Sequence, residues 1–141
     1  MKKVLFVTTI AAAAFGFACG SSGGGAAATG KPIKSGPAAN NLTVTVSSPD
    51  GVLHKGKQDL SITFADAAGK PVDVGAASMN FFMPAMGSMS AMNTPATLTT
   101  TSTPGVYSAK ADIEMSGEWQ AQIKYEGPAG KGNATLPITA Q

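Results

Sequence analysis

A chain of 141 residues, 43% hydrophobic but only 13% charged, fits one globular domain plus appendages, with surfaces that are polar rather than ionic. Its formal charge of +2 falls to zero without Lys2 and Lys3, and from Leu42 onward six lysines face eight acids. It contains no arginine and no basic stripe, so it lacks the phosphate grip and bidentate base contacts that nucleic-acid binding requires, and that class of partner is excluded.

Met1, Lys2 and Lys3 precede an apolar run from Val4 to Phe17, too short for the ~20 residues of a membrane-crossing helix. Residues 1–18 therefore read as a signal peptide. The run ends at Gly16, Phe17, Ala18 and Cys19, the only cysteine of the chain. This resembles a lipoprotein cleavage site, with Gly16 where such sites usually carry an aliphatic residue. The expectation is a lipid anchor on Cys19, on the periplasmic side of a bacterial membrane, with the outer membrane favoured because Gly20 is not an aspartate. Cleavage by the ordinary signal peptidase after Gly16 and Ala18 would instead leave a secreted or periplasmic protein with an exposed thiol, a liability where thiols are oxidised.

Residues 19–41 are dominated by Gly, Ala, Ser and Pro and contain no aromatic side chain, the composition of a flexible linker. Its ends would lie roughly 25 Å apart. From Leu42 the hydrophobic period becomes two, the mark of strands with one buried face. Residues 42–46 turn Leu42, Val44 and Val46 to one side, and 59–64 do so with Leu60, Ile62 and Phe64. After the turn DAAGKP come Val72 and Val74, then MNFFM over 79–83. Further on, 106–114 alternate Tyr107, Ala109, Ala111 and Ile113 against polar residues, and 118–126 alternate Trp119, Ala121, Ile123 and Tyr125. Leu136 and Ile138 close the chain.

About seven short strands with Gly, Pro and Asp turns and no helical stretch imply an all-β domain over 42–141, an immunoglobulin-like antiparallel β-sandwich. Trp119, Ile62, Phe64, Tyr107 and Ile123 should pin the two sheets, each contributing on the order of 1.5–3 kcal/mol by burial.

Four of the seven methionines fall in MPAMGSMSAM, residues 83–92, one at every third position. A thioether is a soft, neutral ligand that needs no deprotonation, so a cluster selects Cu(I) or Ag(I) over zinc, calcium or magnesium. Along one strand Met83 and Met86 would point to opposite faces, and along a polyproline helix neighbours would be roughly 9 Å apart. A tight loop turning at Pro84 and again at Gly87 would gather Met83, Met86 and Met89, with Met92 as an alternate. Met79 and Met115 are further candidates from adjoining strands, and His54 is the one imidazole. Against this, methionine is also a gap filler and an adaptable docking surface. His54, beside Lys55 and Gly56, also reads as a solvated loop residue, Met115 as core, and Trp119 as core rather than a cap over a cation.

The GKPV turn (69–72), the MPAMGSM segment (83–89), PGVYSAKADIEMSGEWQAQIKY (104–125) and TLPITA (135–140) together resemble the YtkA-like family, related to FixH-type domains. The Pro-Gly-x-Tyr followed by Met-x-Gly-x-Trp is the most specific part. The resemblance implies an immunoglobulin-like sandwich outside the cytoplasmic membrane, in families associated with copper handling, heavy-metal efflux adaptors and oxidase assembly. Relatives often carry a histidine in the methionine segment, where this chain has none.

A nucleophile triad is not evident around the single histidine, Asp112 and Glu114 read as a solvated strand face, and zinc-spacing and phosphate-loop motifs are absent. The expectation is a non-enzyme: a lipoprotein that binds Cu(I) or Ag(I) through the methionine loop for an efflux or oxidase-assembly partner. The alternative is a metal-free interaction module of an envelope complex.

Overall fold

The computed structural model describes residues 30–141, so the expected signal peptide and Cys19 lie outside the described residues. The secondary structure is eight strands: β1 (Lys31–Pro37), β2 (Thr43–Ser48), β3 (Gly56–Ala65), β4 (Ala76–Met83), β5 (Met92–Thr100), β6 (Val106–Ile113), β7 (Gly117–Gly127) and β8 (Gly130–Ala140). They pair antiparallel in the order β1-β2-β3-β6-β5-β4-β7-β8.

Alternation drives this pairing. Trp119, Ala121, Ile123 and Tyr125 of β7 are buried while Glu118, Lys124 and Glu126 face water, as a pleated strand with one apolar face requires. β5 folds the ribbon into two layers. Its first half, Met92–Ala96, pairs with β4, and its second half, Thr97–Thr100, pairs with β6. The change of partner falls just after Pro95, consistent with corners made by strands that switch sheets at bends. On the far side β1 approaches β8, where Gly36 packs directly under Leu136. Leu53 bridges to Ala140, and Gln141 exchanges backbone hydrogen bonds with the Leu53–Lys55 loop at 2.8 and 2.9 Å. The result is the expected antiparallel β-sandwich, with its layers joined in one nearly closed sheet.

The core lies between the layers. Trp119, Phe64, Phe81, Ile62, Ile113 and Ile123 are all fully buried. Phe64 stacks edge-on against both Tyr107 and Tyr125, with ring centroids 5.7 and 5.2 Å apart. Each tyrosine then uses its hydroxyl to hold a loop: Tyr107 donates to the Gly75 carbonyl and Tyr125 to the Ala39 carbonyl, both at 2.6 Å. Gly132 is forced by this packing, because a Cβ there would sit 2.5 Å from the Tyr125 hydroxyl oxygen.

Three elements differ from the sequence expectation. Lys31–Pro37, placed in the linker by composition, is a strand paired with β2, so the folded part begins before Leu42. β5 escapes detection because MNTPATLTT carries a proline and few large apolar residues. Val72 and Val74 lie outside the strands. Asp73 accepts from the Gly75 amide at 2.8 Å and Gly75 takes φ +73°, so turn chemistry prevails there and Val74 is simply a buried loop residue.

Candidate functional site

The methionine segment is a two-stranded ribbon rather than a doubly turned loop. Met83 ends β4 and Met92 begins β5, and the two are register partners. Continued through residues 84–91, the same register sets Met86 opposite Met89, which exchange backbone hydrogen bonds of 3.1 and 2.9 Å. Gly87 and Ser88 form the two-residue turn between them, and Gly87 supplies the φ of +58° that so tight a reversal needs. The chain thus reverses once, at Gly87, and the expected additional turn at Pro84 is not formed.

Register divides the four sulfurs into two pairs. Met83 is 3% exposed and turns into the core, its methyl lying 3.0 Å from where a Cβ on Gly117 would stand. Met92 is half-buried and packs against the same core. Met86 and Met89 are 54% and 42% exposed. Met86 and Pro84 line a groove of about 330 Å³ over β7 and β8, together with Lys34, Glu118, Gln120 and Thr139. The expected trio of Met83, Met86 and Met89 is therefore not gathered on one side. Neighbours in a hydrogen-bonded cross-strand pair have Cα atoms ~5.5 Å apart, within reach of two flexible thioethers.

The remaining candidates are placed as follows. Met79 is buried on β4, on the same face as Met83 and about 13 Å below it along the strand. Met115 is half-buried in the β6–β7 turn, and its carbonyl accepts from Trp119 Nε1 at 3.0 Å. Gly117, which opens β7 just after that turn, lies against Met83, so Met83, Met92 and Met115 share one end of the sandwich. Trp119 is core, as expected. His54 lies in the β2–β3 loop, where its Nε2 is 2.5 Å from Asp50 Oδ2. That hydrogen bond, helped by the Ser48 hydroxyl, holds the Asp50 carboxyl well below the usual carboxylate range. His54 is thus engaged by a carboxylate in its own loop.

Among the described residues no three His, Cys, Asp or Glu side chains gather into a metal site. Glu118 and Gln120, which share the groove with Met86, are absent from the sequence-derived candidates. Alternation around Trp119 marks both as outward-facing, but only the β4–β7 pairing puts them beside the hairpin. The other ionisable group with a displaced equilibrium is Tyr107. Burial, with Asp73 adding to it, pushes its hydroxyl pKa upward.

A small antiparallel β-sandwich carrying a methionine-bearing hairpin is the class of protein that these features define. The YtkA-like family model matches residues 37–124, and the chain belongs to that family. Comparison with curated proteins finds no match. Among solved structures the chain is similar to FetP of uropathogenic E. coli strain F11, at 11% identity over 79% of this chain and 93% of that one, with a TM-score of 0.42. So distant a likeness carries no function across. No helix among the described residues is long and apolar enough to cross a membrane.

Proposed function

We propose that this is a non-enzymatic, extracytoplasmic lipoprotein, anchored through Cys19, that binds Cu(I) or Ag(I) at the β4–β5 hairpin and delivers it to an efflux or oxidase-assembly partner. One observation carries the reading. The large hydrophobic side chains left exposed among the described residues are Met86 and Met89, and they stand opposite each other across a single two-residue turn. A thioether pair at a protruding tip suits the capture and release of a soft ion, because neutral ligands exchange without proton movement. Met83 and Met92 lie next along the same ribbon, and the adjoining groove is lined by one carboxylate, Glu118, and one ammonium, Lys34.

The second reading, a metal-free docking module, is favoured by charge. From Val74 to Ala109 the chain contains no Asp, Glu, Lys, Arg or His, and interface centres are depleted of charge in this way. Leucine separates the two readings, since it keeps the size and apolarity of methionine and removes the sulfur. In anaerobic competition against a chromophoric Cu(I) chelator, Met86→Leu/Met89→Leu should lose most of the retained copper. Equal retention by wild type and variant would remove the metal reading. Copper retention that is lost only when His54 is also changed would move the site to the β2–β3 loop.

A further inference from the structure

Two neutral thioethers hold Cu(I) or Ag(I) in an open, linear pair, whereas four close a tetrahedral shell, and the register leaves the tip with two. Met86 and Met89 are exposed together, whereas Met83 is held in the core against Gly117 and Met92 packs beside it. Bringing Met83 to the tip would empty a buried site that its side chain now fills, at a cost comparable to that of a Met→Ala core substitution. The further sulfur donors that would close a four-sulfur shell therefore come most cheaply from outside the molecule.

Resting on the metal-binding reading above, we infer that the partner supplying them is a second copy of this chain: one soft ion is shared by two hairpin tips through the Met86 and Met89 thioethers of each. The geometry suits a two-fold arrangement. Each tip presents the same pair, so two tips facing each other make a self-complementary, four-sulfur site with the ion on the axis. The turn that must approach its copy is the two small residues Gly87 and Ser88, with nothing within 4 Å of a Cβ placed on Gly87. No charge lies on β4, β5 or the turn to oppose the approach of an identical surface. Whether the two molecules meet thus depends on the ion, and the association is reversible by metal supply.

The test is titration of the purified full-length chain with silver(I) in chloride-free buffer, read by native mass spectrometry and light scattering. The expected result is a dimer that is maximal at about one silver per two chains and dissolves as excess silver loads each tip separately. Met86→Leu/Met89→Leu should stay monomeric without silver bound, while Met83→Leu/Met92→Leu, which repacks the core with a side chain of similar volume, should still dimerise. A monomer that retains one silver per chain throughout would overturn the shared site and leave the binding reading standing. A chain that retains no silver would overturn both. Dimerisation that survives Met86→Leu/Met89→Leu would also overturn the inference.

Discussion

Met83 and Met86 stand three residues apart on one ribbon, yet one is core and the other is surface. Met83 belongs to the inward row of β4 with Met79 and Phe81, and its exposure is 3%; Met86, past the end of the strand, is 54% exposed. The lower ribbon is held by both neighbours, β5 on one side and β7 on the other, so that its side chains are committed to packing. The backbone of the tip is held by its own turn and two hydrogen bonds between Met86 and Met89. Chemistry at a repeated residue is therefore set by which face of the pleat the register assigns to it. Only the tip is free to serve a ligand without unpacking the domain.

The strongest way to break this contrast is at the floor of the core. Trp119→Ala removes the largest fully buried side chain together with the bond to the Met115 carbonyl. Urea unfolding should show a loss of about 3–5 kcal/mol. A cost under 1 kcal/mol would mean that Trp119 does not pin the layers. Next in size is the direct comparison of methionines. Met83→Ala should destabilise by about 2–5 kcal/mol, while Met86→Ala and Met89→Ala should each stay within about 0.5 kcal/mol. Equal costs along the ribbon would erase the division drawn here.

Away from the ribbon, Tyr125→Phe keeps the ring against Phe64 but leaves the Ala39 carbonyl with the Leu42 amide as its remaining donor. The expected loss is about 0.5–1.5 kcal/mol, read from the same unfolding curves, with no change in metal retention. The smallest effects are those of pH. The Tyr107 hydroxyl is held neutral by burial and by Asp73, so its folded pKa lies above its unfolded value. Its contribution is complete below the unfolded pKa of about 10 and is lost as pH rises beyond that through the folded value. Tyr107→Phe should flatten the alkaline limb of a plot of thermal midpoint against pH. Asp50 runs the other way. Its pKa is depressed by His54, so its contribution is present above the ordinary carboxylate range and is lost on acidification, and Asp50→Asn should flatten the acid limb.

Much of the fold is legible in local pattern. The period-two runs of β3, β6 and β7 name their own inward residues, and Ile62, Tyr107, Trp119 and Ile123 are buried as the alternation requires. Where the side chains are small or the chain is interrupted by proline, pattern falls silent. KPIKSGP reads as linker and MNTPATLTT gives no strand signal, yet each becomes a strand because a neighbour offers an unsatisfied edge. The methionine segment stands out by composition, and the pleat alone separates Met83 from Met86 along any strand. Nothing local says which geometry the segment adopts.

The sequence by itself settled the all-β class, the faces of its clearest strands and the soft-donor character of residues 83–92, because each follows from residue type and from spacing within a few positions. Only the tertiary structure decided that Met83 meets Met92 while Met86 meets Met89, that β5 serves both layers, and that Glu118 and Gln120 lie beside the hairpin. The hairpin register rests on where the chain turns, which composition does not name, and the other two outcomes rest on pairings between distant stretches of chain, where backbone groups and apolar faces find partners that no local pattern specifies.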